Sequence, residues 1–127
     1  MTWVKRILFF GTILIGLYVS FVAFMVLRPD ISDYFDRTEF ERSSWIKWDD
    51  NEPTQKLRWN MIDDLTKNYE LIGKTKEEIK KLLGEPESEY DNEISYYLGL
   101  TGHGINTGSL LFSFENGIVI SYRVWQG

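Results

Sequence analysis

Cysteine is absent from the 127 residues, which removes disulfides, thiolate metal sites, a cysteine nucleophile and acylation of a lipobox cysteine together. Histidine is reduced to His103. A metal site would have to be completed by carboxylates, and a catalytic dyad would need a nucleophile that the sequence does not place. Basic charge is scarce beyond the N-terminus: all nineteen acidic residues follow position 28, against twelve basic residues from Arg28 onward, a formal charge of −7. Such a domain lacks the basic surface that phosphate backbones and anionic headgroups require, so neither nucleic acid nor peripheral docking on anionic lipid is expected.

What the chain does have is one long apolar run. Ile7 to Leu27, ILFFGTILIGLYVSFVAFMVL, is 21 residues without a charge, and at helical rise it covers roughly 30 Å, the thickness of a bilayer core. A cleaved signal peptide usually has a shorter apolar region followed by a small-x-small site. Here Phe21 stands two positions before Ala23, so an uncleaved anchor over residues 1–28 is the favoured reading. Lys5 and Arg6 precede the span, while Arg28 with Asp30, Asp33 and Asp36 follows it. The excess of basic residues in front predicts the N-terminus inside and the C-terminal domain outside the cytoplasm.

Residues 29–53 form a polar connector dotted with Tyr34, Phe35, Phe40, Trp45, Ile46 and Trp48. That is too much large apolar surface for a purely solvated linker. Parts of the connector are therefore expected to pack on the chain's own domain; the alternative is a partner-binding surface of the kind that Trp and Tyr anchor.

The domain is expected over residues 54–127. Leu57, Met61 and Leu65 recur at four-residue steps with Ile62 beside them, predicting a helix from Thr54 to Asn68 with Pro53 and Thr54 at its start and Arg58, Asp63 and Asp64 on its charged outer face. A second helix is written into Leu71–Pro86. Thr75 and Glu78 are spaced for a reciprocal capping box. Glu77 and Glu78 open the helix and Lys80 and Lys81 close it, in favour of its dipole. Gly84 and Pro86 end it, and Ile79, Leu82 and Leu83 make one apolar stripe.

An acidic loop from Glu85 to Asn92 precedes three strand signals. Ile94, Tyr96 and Leu98 alternate with Ser95 and Tyr97; Leu110, Phe112 and Phe114 alternate with Leu111, Ser113 and Glu115; a third run covers Ile118 to Trp125. Asn116-Gly117 between the last two is a strong hairpin signal, so these strands should be antiparallel neighbours. Gly99 to Gly108 contains four glycines but neither the lysine nor the following helix of a phosphate loop. A connection between strands, or a partner-contacting loop, is the expectation.

The Gly-Lys-Thr-Lys-Glu-Glu-Ile-Lys-Lys-Leu-Leu-Gly-Glu-Pro run of residues 73–86 resembles the Gly-Met-Thr-x-x-x-Val-x-x-x-Leu-Gly-x-Pro signature of SmpA/OmlA, or BamE-like, domains over roughly residues 54 to 125. It is more similar still to small bacterial proteins of that kind that carry Trp45, Arg58, Met61, Asp64-Leu65, Tyr97-Leu98-Gly99 and a final hairpin. The resemblance implies an α+β fold: after the N-terminal transmembrane helix, two helices packed on a three-stranded antiparallel sheet (ααβββ). The best-known member is an outer-membrane lipoprotein that assists β-barrel assembly. This chain has a span in place of an acylated cysteine, so that role does not carry over.

Together these features predict a single-pass protein of the inner membrane, held through Ile7 to Leu27, whose outer domain binds a protein partner as an envelope scaffold or accessory subunit. The alternative is an inhibitor or immunity-type protein acting through its acidic face. No enzyme activity, cofactor or metal is expected. Trp45, Trp48, His103 and Ile105 are the candidate partner-binding residues.

Overall fold

The computed structural model describes residues 2–51 and 53–127, and of residues 29–32 the backbone alone. Met1 and, within the connector, Glu52 lie outside them. The chain forms two compact units, residues 1–35 and 36–127.

The first unit is one helix, α1, Trp3–Phe35. Its Trp3–Arg28 stretch is long and apolar enough to cross a membrane, and none of its most apolar window is buried within the protein. An N-terminal signal sequence would share those properties. The helix continues past the apolar run to Phe35, beyond the boundary that composition suggested.

The second unit is α+β, takes in the chain from residue 36 and holds more secondary-structure elements than expected. Its helices are α2 (Arg42–Lys47), α3 (Leu57–Asn68) and α4 (Lys76–Leu83). Its strands are β1 (Ser88–Tyr90), β2 (Glu93–Leu100), β3 (Thr107–Glu115) and β4 (Ile118–Gln126), an antiparallel meander in that order.

The expected three-stranded sheet therefore has a fourth strand. β1 lies inside the acidic segment and pairs Ser88 with Ser95 and Tyr90 with Glu93. Three residues of Ser-Glu-Tyr offer no apolar alternation, and only pairing of the backbone makes them a strand.

α2 is likewise an addition. Glu41 caps it, its carboxylate accepting from the backbone N–H of Ser43 and Ser44, and the helix buries a single residue, Trp45.

α3 begins at Leu57 rather than Thr54 because the preceding residues are engaged otherwise. The Thr54 hydroxyl donates to the Asn51 carbonyl at 2.8 Å, and the Thr54 carbonyl accepts from the Trp48 indole at 2.7 Å.

α4 matches its sequence closely. Thr75 Oγ1 accepts from the Glu78 N–H at 3.2 Å, and the Gly84 N–H closes the helix on the Lys80 carbonyl at 2.7 Å. Only half of the capping box forms: the Glu78 carboxylate lies 3.9 Å from Lys74 Nζ, while the backbone around Thr75 bridges to Ile118.

One core unites the layers. Ile94, Tyr96 and Leu98 of β2 and Leu110, Phe112 and Phe114 of β3 face Leu65, Ile79 and Leu83 of the helices, with Trp45, Phe40 and Leu71 completing the cluster. The Tyr96 hydroxyl donates to the Gly84 carbonyl at 2.7 Å, which fixes the end of α4 on the sheet. Asn116 (φ 53) and Gly117 (φ 77) make the expected hairpin turn. A register shift at Ser113/Phe114 then sets Phe114 opposite Val119 and Ser113 opposite Ser121. This bulge buries Val119 and leaves Ile118 and Ile120 exposed, so the even-numbered alternation of the last strand does not extend to its start.

Candidate functional site

The polar centre of the unit is Arg58, expected on the outer face of its helix and found 4% exposed. α3 presents it toward the connector and the start of the sheet, where its guanidinium lies 4.9 Å from the Trp45 ring and 4.8 Å from the Trp48 ring. Nε donates to the Trp45 carbonyl at 3.1 Å, and Nη1 donates to the Tyr97 carbonyl at 3.0 Å and to Glu87 Oε1 at 2.8 Å. Glu87 is itself placed by the sheet: its Oε2 accepts from the Tyr97 N–H at 3.0 Å, and its own N–H donates to the Ser95 carbonyl at 3.0 Å.

The planar fork of arginine suits this site because it can stack on two rings while donating in plane, which an ammonium cannot do. Gly99 belongs to the same cluster. A Cβ there would overlap the Gln55 carbonyl oxygen and the Trp48 ring, and its φ of +75 is one that side chains disfavour. Arg58 Nε and Nη1 meet acceptors fixed by the fold, while the buried Trp45 indole N–H beside them has no hydrogen-bond partner among the described residues. The cluster holds the connector to α3 and β2 and offers no reactive group.

The far side of α3 is tied down as well. Asp64 Oδ2 accepts from the Phe40 N–H at 2.7 Å, and Arg37 pairs with Asp63 at 3.3 Å while lying 5.1 Å over the Trp59 ring. The Phe40 N–H, followed by the Asn68 amide, lowers the Asp64 carboxyl below its ordinary range. At the cap of α2 the hydroxyls of Ser44 and Ser43, with their N–H groups, pull Glu41 down to about 2.

The four expected partner-binding residues separate. Trp45 is fully buried, and its place against Phe40, Tyr96 and Arg58 removes it from any surface. Trp48 is half-buried, its indole N–H on Thr54 and its ring 5.9 Å from Tyr97.

His103 and Ile105 lie in the connection between β2 and β3, which is shorter than its glycines suggest and braced by hydrogen bonds. β2 continues to Leu100 and β3 starts at Thr107, leaving 101–106. The Thr101 N–H donates to the Asn106 carbonyl and the Asn106 N–H to the His103 carbonyl. The Gln126 amide nitrogen lies 2.8 Å from Thr101 Oγ1 and 3.1 Å from His103 Nδ1. Gly108 admits the Trp59 ring where a Cβ would collide with it. Ile105 is 92% exposed at the tip of this braced loop. It is the one expected contact residue that is fully available.

A cleft of about 470 Å³ beside α4 is lined by Arg42, Glu70, Lys74, Glu78, Lys81 and Leu82 among others. Its charges are partly engaged: Lys74 lies 3.9 Å from the Glu78 carboxylate, and the Arg42 guanidinium donates to the Lys81 carbonyl at 2.8 Å. Among the described residues no group of three or more His, Asp or Glu could hold a metal ion.

Arg58 itself was missed by sequence reasoning, because one charged residue on a helix next to two aspartates reads as solvated. The available signal was its company, since Trp45 and Tyr97 both meet it and Gly99 lies against the Trp48 ring that it stacks on.

No protein-family model, curated protein or solved structure matches this chain.

Proposed function

We propose that this chain is a single-pass membrane protein that carries its α+β unit outside the cytoplasm and acts by contact with another protein, as an envelope scaffold or accessory subunit. The observation that carries the reading is the Trp3–Arg28 helix, which is long and apolar enough to cross a membrane and whose most apolar window is not buried within the protein, as is expected of a bilayer span. Lys5 and Arg6 in front of the span favour the inside position for the N-terminus. The SmpA/OmlA-like signature at residues 73–86 is in keeping with an envelope domain, and α4 explains that signature as a capped helix and its stop.

The contact surface proposed is the loop 101–106, with Ile105 at its tip, His103 beside it and the exposed edge of Trp48 as a further element. A braced loop presenting an apolar side chain loses little conformational entropy on binding. Fusion of alkaline phosphatase and, separately, green fluorescent protein after Gly127 tests the topology. Phosphatase activity without fluorescence is expected, and the reverse pattern overturns it.

A second reading, an inhibitor or immunity-type protein, is favoured by the acidic residues Glu85, Asp91 and Glu93 around the β1 edge. It requires a one-to-one complex with a basic protein that weakens as salt rises.

A further inference from the structure

The two edges of the sheet are built differently. β1 is three residues long and sits in a stretch with Glu85, Glu87, Glu89, Asp91 and Glu93, the short and charged edge by which natural sheets resist pairing with a neighbour. β4 is nine residues long and contains no acid, no lysine and no proline; Arg123 is its one charge.

Its first part is already covered. Gly73 N–H donates to the Val119 carbonyl and Val119 N–H to the Lys74 carbonyl, both at 2.9 Å, and Lys76 N–H reaches the Gly117 carbonyl at 3.3 Å. From Ile120 to Gln126 the outer side of the strand has no backbone partner among the described residues. Ile120, Val124 and Trp125 are 52%, 40% and 52% exposed there.

We propose that this free half of β4 pairs with the same half of a second copy of the chain, joining two four-stranded sheets edge to edge about a two-fold axis. The register follows from what surrounds the strand. Outward-facing backbone groups alternate, so two identical antiparallel strands must be centred on a residue. A centre at Tyr122 or earlier would run the partner's strand into the segment 73–76 that already covers Val119. Centring on Arg123 sets the two guanidiniums directly opposite each other, a repulsive pair.

Centring on Val124 avoids both. It places Val124 opposite its own copy and Arg123 opposite Trp125 twice, a cation–aromatic pair across the strands. β4 itself brings no acid to the contact, so no carboxylates are set against each other along the paired strands. The inference stands apart from the topology and partner proposed above, since it uses only the residues of unit 36–127.

The absence of cysteine makes the test clean. Val124→Cys, Arg123→Cys and, on the opposite edge, Tyr90→Cys are each introduced into the full-length chain in membranes and oxidised with copper phenanthroline. Identical residues on the two-fold axis of an antiparallel pair lie within disulfide reach, so Val124→Cys is expected to give a disulfide-linked dimer, with the other two at background. A Val124→Cys signal no stronger than that of Tyr90→Cys, a stronger signal from Arg123→Cys, or linkage of Val124→Cys to a different polypeptide overturns the proposal.

A charge swap supplies a second readout. Trp125→Arg sets two like-charged pairs across the axis and is expected to lower the dimer's association constant by about tenfold. Trp125→Glu faces Arg123 with an opposite charge and is expected to keep the dimer. Equal loss in both variants overturns the register.

Discussion

Arg58 and Glu87 meet at 2.8 Å although 29 positions separate them, and through this contact a helix, the connector before it and the first turn of the sheet become one structure. Arg58 is buried while the Glu87 side chain is 43% exposed. The two ends of the pair therefore differ in what their loss costs. Arg58→Ala abandons the Trp45, Tyr97 and Glu87 oxygens together with the stacking on both rings, and is expected to destabilise the fold by about 3 kcal/mol. Glu87→Gln keeps a hydrogen-bonding shape at a half-solvated position and is expected to cost about 1 kcal/mol. Urea unfolding followed by tryptophan fluorescence measures both, and equal losses would show that the two ends do not differ in this way.

Gly99 is expected to tolerate no side chain. Gly99→Ala must place a Cβ into the Gln55 carbonyl and the Trp48 ring at a positive φ, with a cost of about 3 kcal/mol. Gly73→Ala also has a positive φ, yet its Cβ would meet nothing within 4 Å, so only the backbone penalty of about 1 kcal/mol applies. Melting temperatures of the two variants compare collision with backbone strain alone.

Acid should loosen the connector. Glu41 is lowered from 4.5 to about 2 by the hydroxyls of Ser44 and Ser43 and then by their N–H groups. A depressed folded-state value means that the stabilisation is complete above about 4.5 and disappears as pH falls toward about 2. Asp64, lowered first by the Phe40 N–H, and Glu89, lowered first by the Lys80 ammonium, act in the same direction. Thermal melts across that range should show falling stability, with a shallower fall in Glu41→Gln. Identical slopes for the variant and the parent chain would rule Glu41 out as a contributor.

Ile105→Asp separates folding from binding. At 92% exposure the change is expected to move stability by less than about 0.5 kcal/mol. If loop 101–106 is the contact surface, the same substitution removes partner cross-links from membranes. Unchanged cross-linking at unchanged stability would move the contact surface elsewhere.

The sequence by itself determined the features that depend on neighbours along the chain. The apolar run of α1, the cap and stop of α4, the Asn116-Gly117 turn and the alternation of β2 and β3 are local patterns, and each is found where its residues put it. Tertiary structure alone decided what depends on distant partners. β1 exists because β2 offers its backbone, and the bulge at Ser113/Phe114 decides that Val119 rather than its neighbours is buried. Trp45, readable as an interface anchor, is core because α2 turns it onto Phe40 and Tyr96. Arg58 looks like a surface charge until Trp45, Trp48, Tyr97 and Glu87 surround it: burying a guanidinium is favourable only where stacking and acceptors replace its water, and those come from four places that only the fold brings together.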